Sequence, residues 1–235
     1  MIVDIQLENW KSYESAILHI DPLSVLIGTN ASGKSNALDA LLLLNRTATG
    51  ASITSALQGD GVQSPLRGGL EWAARKPGSV FAVTAVCRTQ DTTIDYEYRL
   101  ECNVTGKRCD VSGEQLTRRK YRLKKDGGRQ ANPGEIKLFR TDHCEIDQPT
   151  IVARLYNGKQ GSPRSLERAH TLLFQLSGQA LSQDVQEGVQ EVTSSLRDIF
   201  VLDPIPSHMR GYSPLADKLD GDARNIAGVL AALHT

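Results

Sequence analysis

One nine-residue stretch, Gly28–Asn36, constrains this chain more than any other part of its sequence. It reads GTNASGKSN and fits the pattern G-x-x-x-x-G-K-[ST], with Gly28, Gly33, Lys34 and Ser35 at the fixed positions. In that pattern a turn joins a buried strand to the N-terminus of a helix, and its backbone N–H groups surround a phosphate. Apolar runs flank the stretch on both sides. The sequence therefore predicts a nucleotide-phosphate site.

The residue types in this loop predict what it binds. Successive N–H groups at residues 30–35 can form a concave nest for a β-phosphate, aided by the helix dipole. The Lys34 ammonium supplies a mobile charge near the β- and γ-phosphates, and the Ser35 hydroxyl is a hard oxygen ligand for Mg²⁺. We therefore predict ATP and Mg²⁺ as cofactors. The predicted nucleotide-binding residues of the loop are Gly28, Asn30, Ser32, Gly33, Lys34, Ser35 and Asn36.

Composition narrows the class of protein. The chain has 235 residues, with 27 Lys plus Arg against 27 Asp plus Glu, which argues against a strongly basic binder but leaves local basic patches open. Its four cysteines lack C-x-x-C spacing, which indicates reduced thiols. The N-terminus shows no signal-peptide pattern, and no apolar run approaches the ~20 residues of a membrane helix. We expect a soluble, cytoplasmic protein with no membrane partner.

Hydrophobic periodicity predicts an α/β organisation in the first part of the chain. Residues 2–7 and 15–20 alternate as half-buried strands do, and the continuous apolar run Leu23–Ile27 is typical of a strand buried on both faces. A buried helix is expected from about Lys34 to Asn45. A polar, glycine-rich excursion with one short helical turn should follow at 47–70.

The apolar period changes to two between residues 79 and 156. About five alternating segments there are separated by Gly, Asn, Asp and Pro, which indicates an antiparallel β-meander. Helical spacing then predicts helices from Leu166 to Leu176 and from Val185 to Leu196. A short buried strand at Ile199–Leu202 and a tail helix at Ala223–Leu233 complete the predicted elements.

Hydrolysis of a nucleotide requires an acidic residue for the metal and a group that orients water. The weak candidate for the acidic residue of a Walker B segment is Asp203, which ends an apolar run but precedes Pro204 where a glutamate is usual. Leu176–Gln179 reads LSGQ, a shortened form of the signature loop of ABC-type ATPases, but we favour an ordinary turn between two helices. We therefore assign no catalytic residue and keep Asp203 as a candidate.

Two parts of the chain carry a family resemblance. Residues 8–13, ENWKSY, and residues 28–40, GTNASGKSNALDA, resemble the opening of ABC/SMC-type ATPases of the RecF and OLD-like group, often labelled AAA-family ATPases. Residues 201–206, VLDPIP, and 225–230, NIAGVL, resemble a stretch midway through RecF/OLD-like ATPases, ahead of their signature loop and Walker B segment. On this resemblance the chain is the N-terminal half of such an ATPase, and Asp203 is not its Walker B acid.

The resemblance implies a fold and further site residues. The fold is an α/β P-loop NTPase lobe of ABC/SMC-like type, with a mixed sheet and an inserted antiparallel β-subdomain. In that family the basic residue of the first turn, here Lys11, reaches the nucleotide, and so does a glutamine near the end of the β-subdomain. Gln148 and Gln175 are the candidates for this Q-loop glutamine, although a surface role is the plainer interpretation of each. One lobe would span 1–235, with a strand, phosphate-loop and helix core at 1–46, the β-subdomain at 79–156, and a helical segment with a return strand at 164–235.

The resemblance also implies partners. Hydrolysis would need a missing C-terminal half together with a homodimer or a second ATPase subunit. A nuclease or other effector is a further expected partner, with DNA engaged by the assembly as a whole. The leading interpretation is thus an ATP-binding lobe of a DNA repair or anti-phage defence complex. The alternative is a nucleotide-gated interaction module that binds ATP without turnover.

The densest basic stretch, residues 118–125, reads RRKYRLKK. Phosphate contact with DNA is one interpretation of it. The other, which we favour from sequence, is a solvated edge strand protected from aggregation by charge. The candidate DNA contacts are Arg118, Arg119, Lys120, Arg122 and Lys124.

Overall fold

The computed structural model describes residues 1–61, 63–145, 147–156 and 161–233. The chain divides into two compact units, Met1–Asp198 and Ile199–Thr235, and residues 234–235 of the predicted lobe lie outside the described residues. The first unit is built on eight strands: β1 (Ile2–Glu8), β2 (Ser15–His19), β3 (Val80–Arg88), β4 (Ile94–Thr105), β5 (Arg108–Lys120), β6 (Gly134–Thr141), β7 (Thr150–Tyr156) and β8 (Gly161–Glu167).

All eight strands lie in one antiparallel sheet, in the order β2-β1-β3-β4-β5-β6-β7-β8. The predicted meander at 79–156 is confirmed, but the expectation of a mixed sheet is wrong, because every described strand pair is antiparallel. Strand β1 pairs with β3 from Ile2↔Cys87 to Glu8↔Ala82, so the meander continues the sheet that the N-terminal hairpin begins. Whether the meander is an inserted subdomain stays a prediction.

Helices α2 (Ile53–Gln58), α3 (Leu172–Leu176) and α4 (Gln183–Arg197) of the first unit pack on this sheet, and α1 (Lys34–Ala48) packs on these three helices. Helix α4 lies on β3–β6, and Gly188 allows this approach, because a Cβ there would lie 2.3 Å from Leu138 and 3.0 Å from Tyr96. The Asn45 side chain donates to the carbonyl oxygens of Leu196 and Arg197, so the ends of α1 and α4 are joined. This contact fixes the helix that follows the phosphate loop.

The strand predicted at Leu23–Ile27 is wrong. The segment has no strand pairing within the described residues, and Leu23 and Ile27 are 84% and 90% exposed. A continuous apolar strand is buried only when neighbouring strands and helices cover both of its faces. The sheet ends at β2, so no such cover lies around residues 23–27 within the described part of the chain. The apolar run immediately before the phosphate loop is therefore exposed.

Two predictions after residue 160 are also wrong. The helix expected from Leu166 is replaced by β8, whose residues pair with β7 from Thr150↔Glu167 to Tyr156↔Gly161, and only the short α3 is helical. The apolar spacing that suggested one helix thus spans a strand, a turn and a helix. Residues 199–202 are not a strand, and Phe200 and Leu202 are 57% and 49% exposed.

The second unit is small, and many of its side chains are exposed to solvent. Its chain is held by backbone hydrogen bonds from Asp203 to Gly221 and from Ile205 to Asp222, and it ends in α5 (Ile226–Ala232), the predicted tail helix. Several large apolar side chains in it are exposed, among them Tyr212 and Leu215. None of the helices in the described residues of either unit is long and apolar enough to cross a membrane.

Candidate nucleotide-binding site

The phosphate loop has the backbone shape that its sequence predicts. Ala31 and Gly33 have φ angles of 66° and 96°, and α1 begins at the next residue, Lys34. Left-handed residues turn successive N–H groups toward one point, which forms an anion-binding concavity at a helix N-terminus. Glycine adopts such a φ without cost, whereas alanine does so at about 1 kcal/mol. This strain at Ala31 is typical of a binding loop.

Gly33 is favoured by its left-handed backbone angle, and both Gly28 and Gly33 lie close to neighbouring side chains. A Cβ on Gly28 would lie 2.7 Å from the Ser32 hydroxyl oxygen. A Cβ on Gly33 would lie 3.0 Å from the Tyr13 hydroxyl and 3.2 Å from that of Ser12. A side chain at either position would therefore fill the space that the loop needs. These contacts fit the requirements of a phosphate cradle, and so support ATP as a ligand.

The Lys34 ammonium lies against the loop itself. It donates to the carbonyl oxygens of Gly28 and Thr29, at 2.6 and 2.8 Å, and to the Ser32 hydroxyl at 3.3 Å. A nucleotide phosphate would replace these neutral acceptors with a charged one, which forms the stronger hydrogen bond. Asn30 and Ser35 are exposed at the loop and at the first turn of α1. Ser35 is thus placed where its hydroxyl can meet Mg²⁺ held by the phosphates.

The turn between β1 and β2 braces the phosphate loop through hydrogen bonds. The sequence did not predict this role for three residues of the turn. The Trp10 indole donates to the Asn36 carbonyl at 2.7 Å, and the Tyr13 hydroxyl donates to the Gly33 carbonyl at 3.0 Å. The Asn36 amide donates to the Ser12 hydroxyl at 2.9 Å. The motif ENWKSY was the available signal, but it pointed to Lys11 instead of Trp10, Ser12 and Tyr13.

Lys11 does not lie free beside the phosphate loop. Its ammonium forms an ion pair with Asp39 of α1 at 2.5 Å and donates to the Arg67 carbonyl at 2.8 Å. Arg67 also pairs with Asp39, at 3.1 Å. Burial lowers the pKa of the Lys11 ammonium, and the hydrogen bond and charge of Asp39 oppose that shift. Nucleotide contact by Lys11 stays a prediction, and it would require this ion pair to open.

Replacing Tyr13 by phenylalanine tests the bracing role of the turn. The change removes one hydrogen bond to the loop, worth about 1 kcal/mol, and we expect ATP affinity to fall about fivefold with little loss of thermal stability. Isothermal titration calorimetry with ATP and Mg²⁺ measures the affinity. The matched control is Tyr212→Phe, since Tyr212 is 97% exposed. Equal affinities for both variants and the unaltered protein would contradict the bracing role.

The two candidates for the Q-loop glutamine, Gln148 and Gln175, form hydrogen bonds with residues outside the phosphate loop. The Gln175 side chain is used locally, since it accepts from the Glu167 N–H and donates to the carbonyls of Glu167 and His170. Gln148 is exposed, and its carbonyl accepts from Arg168. The LSGQ segment joins α3 and α4 as a turn, as we favoured from sequence. Asp203 belongs to the second unit and follows no strand.

The basic stretch is only partly available for contact. Arg118 pairs with Asp184, and Arg119 pairs with Glu97 and Glu135, whereas Lys120, Arg122 and Lys124 are exposed. The edge-strand interpretation that we favoured is wrong, because β5 lies inside the sheet between β4 and β6. Which of these residues touch DNA stays a prediction.

Comparison with known families decides the class of this site. A family model described as an AAA ATPase domain matches residues 1–143, which include the phosphate loop, the bracing turn and most of the sheet. The chain belongs to the AAA ATPase domain family. Its resemblance to AAA/ABC-type ATPases is thereby confirmed, and the family implies the use of a nucleotide, usually with Mg²⁺. No curated protein matches the chain.

The metal expected with this AAA ATPase domain would be held mainly by the nucleotide. No group of three or more His, Cys, Asp or Glu side chains among the described residues could hold a metal ion by itself. Mg²⁺ commonly takes one or two protein oxygens and completes its shell with phosphate oxygens and water. The exposed Ser35 hydroxyl at the helix N-terminus fits that mode, in which the ion neutralises charge on the β- and γ-phosphates.

Proposed function

We propose that this chain is the ATP-binding lobe of an ABC/SMC-like ATPase, whose hydrolysis site is completed by elements that cover residues 23–27. The observation that carries the proposal is the exposure of this apolar run directly before a well-formed phosphate loop. Val25 is 72% exposed and Leu26 is 45% exposed. We propose that further strands pair with this run in the complete ATPase, because a continuous apolar run forms a stable strand only when both of its faces are covered.

The same completion would supply the missing chemistry. The loop binds and orients phosphates, but hydrolysis also needs a metal-bound acid and a group that positions water. We propose that these groups come from a C-terminal half and from a second ATPase subunit or second copy of the chain. The residue after Asp203 supports this proposal. It is Pro204, whereas the acid of a Walker B segment is usually followed by a glutamate.

The pathway proposal rests on the resemblance alone. Residues 1–45 and 199–230 resemble RecF/OLD-like ATPases, and we therefore propose a role in DNA repair or anti-phage defence, with a nuclease or other effector as partner. The alternative function is a nucleotide-gated interaction module that binds ATP without turnover. The exposed apolar side chains of the second unit, such as Phe200 and Leu215, favour it, since such side chains mark contact surfaces.

A turnover assay tests these proposals. We expect the purified chain to bind ATP and Mg²⁺ and to hydrolyse ATP slowly or not at all at low concentration. Specific activity that rises with protein concentration supports completion by a second copy, because dimerisation then supplies the missing groups. Loss of turnover in Asp203→Asn, with ATP binding intact, would restore Asp203 as the catalytic acid and contradict the proposal. Full activity that is independent of concentration would also contradict it.

A further inference from the structure

A hairpin tip formed by residues 120–130 concentrates positive charge on an otherwise neutral chain. Its sequence, KYRLKKDGGRQ, contains five Lys or Arg residues and one Asp. The tip is ordered by backbone hydrogen bonds that continue from β5, from Gln130 to Arg122 and from Lys124 to Gly128. A further bond from Gly127 to Lys124 closes the turn. The charged side chains of the tip are therefore attached to an ordered backbone.

Internal ion pairs separate the cations of this region into two groups. Arg129 pairs with Asp95 at 2.6 Å and lies over the Tyr121 ring, 4.5 Å from its centroid. Arg118 and Arg119 also pair with carboxylates, at 2.7 to 3.0 Å. These three arginines therefore stabilise the fold. The remaining cations of the tip are exposed and form no ion pair with any described residue: Lys120, Arg122, Lys124 and Lys125. One carboxylate, Asp126, accounts for the only opposing charge in the tip, and it accepts from the Gly128 N–H.

The exposed cations follow one another closely along the hairpin. Lys120 ends β5, and Arg122 and Lys124 stand on either side of Leu123, which is bridged to Arg129 across the hairpin. Such a concentration of exposed cations suits a polyanion, whose phosphates they can neutralise. The contact between Tyr121 and Arg129 supports the tip. A cavity of about 520 Å³ lies beside the cations and is lined by Lys120, Tyr121, Arg122 and residues 132–136.

Protection of a sheet edge does not explain this charge. β5 is paired on both sides, with β4 and β6, up to Lys120. Three of the four cations, Arg122, Lys124 and Lys125, lie beyond that point, where the hairpin extends past the neighbouring strand β4. Four exposed like charges repel one another, and a bound polyanion would relieve that repulsion.

We propose that the tip binds the phosphate backbone of duplex DNA without reading base sequence, through Lys120, Arg122, Lys124 and Lys125. The choice of DNA as the polyanion rests on the proposed function, whereas the position and the number of contacts rest on the geometry of the tip. Four neutralised phosphates predict a slope of log Kobs against log salt of about −3.6, which is a loss of about 150-fold in affinity between 50 and 200 mM salt.

Fluorescence anisotropy with two labelled duplexes of unrelated sequence tests the proposal on the full chain without nucleotide. The double variant Arg122→Gln/Lys124→Gln is expected to reduce the slope to about −1.8, so that affinity falls only about 12-fold over the same salt range. The matched control is Lys76→Gln/Lys107→Gln, which removes two exposed cations elsewhere. Lys107 follows the far end of β4, about 40 Å along β5 from Lys120, and the control is expected to keep the full slope.

Three outcomes would overturn the proposal. They are an unaltered slope in the hairpin variant, an equal change in the control, and a tenfold difference in affinity between the two duplexes. Circular dichroism checks that both double variants are folded. The Lys34→Ala variant separates this inference from the nucleotide site, because it is expected to lose ATP binding and to keep the DNA slope. Unchanged ATP affinity in that variant would refute the nucleotide site, while the slope would still decide the role of the tip.

Discussion

Replacing Lys34 by alanine is expected to weaken ATP binding by more than a hundredfold. The ammonium is the flexible cation of the phosphate loop, and loss of one partner from a charge-assisted contact costs about 3 kcal/mol or more. Its present acceptors are carbonyl oxygens of Gly28 and Thr29. These carbonyls lie in an exposed loop where water can replace the ammonium, so the fold should survive the change. Calorimetric titration with ATP and Mg²⁺ measures the effect.

A lysine outside the loop provides the control for this result. Lys76 is exposed, and Lys76→Ala removes the same charge without touching residues 28–36. We expect its ATP affinity to equal that of the unaltered protein. An affinity for Lys34→Ala within threefold of the control would refute the phosphate-loop assignment, whatever the family match. Melting temperatures of the two variants should agree, since the Lys34 ammonium donates to oxygens of the loop itself.

The second large effect is expected at Glu114, a buried carboxylate in β5. One of its oxygens accepts from the Leu172 N–H at 2.7 Å, and the other accepts from the Leu173 N–H at 2.8 Å and the Tyr98 hydroxyl at 2.9 Å. The carboxylate therefore holds the start of α3 against the sheet. Glu114→Gln replaces an acceptor by a donor and leaves buried N–H or O–H groups unsatisfied. We expect it to destabilise the first unit by about 2 kcal/mol at pH 7.

The stability contributed by Glu114 should also depend on pH. Burial raises the pKa of its carboxyl to about 7, against the hydrogen bonds from Leu172, Leu173 and Tyr98, which lower it. Between about pH 4.5 and 7 the folded protein keeps a proton that the unfolded chain releases, so stability falls as pH rises. The contribution is complete below about pH 4.5 and lost above about pH 7, and it amounts to about 3 kcal/mol over that range.

Urea unfolding of the unaltered protein and of Glu114→Gln from pH 4.5 to 8 measures this dependence. The difference in unfolding free energy between the two should narrow with rising pH, because glutamine does not titrate. Glu71→Gln is the control, since Glu71 is exposed. A difference that stays constant across the range would show that Glu114 is charged throughout, and the pH dependence would then be wrong.

The nucleotide loop could be predicted from sequence because its function depends on consecutive residues. The nest is made by backbone groups within Gly28–Asn36, and the glycines that permit its shape are part of the same stretch. The helix after the loop and the alternation at 79–156 were predictable for a similar reason, since their periods of 3.6 and two residues are local. The match of residues 1–143 to an AAA ATPase domain is consistent with this local signal.

The partners of each residue could not be predicted in the same way. The bracing residue Tyr13 is 20 positions from Gly33, and Lys11 is 28 positions from Asp39. The sequence predicted that Lys11 lies near the nucleotide. It did not predict that the turn carrying Lys11 is hydrogen-bonded to residues 73–75, or that Lys11 forms an ion pair with Asp39. Likewise the alternation at 118–125 predicted a strand without showing that Arg118 and Arg119 would meet carboxylates on other elements.

The phosphate-binding loop could be read from the sequence, because nine adjacent residues carry the required backbone freedom, charge and hydroxyl. How that loop is held, and what surrounds it, became visible in the three-dimensional fold. Strand order placed β2 at an edge and left Leu23–Ile27 exposed, and it placed β5 inside the sheet with a charged tip beyond. These outcomes depend on pairing between distant segments, where burial, hydrogen bonding and charge act together and no local pattern records the result.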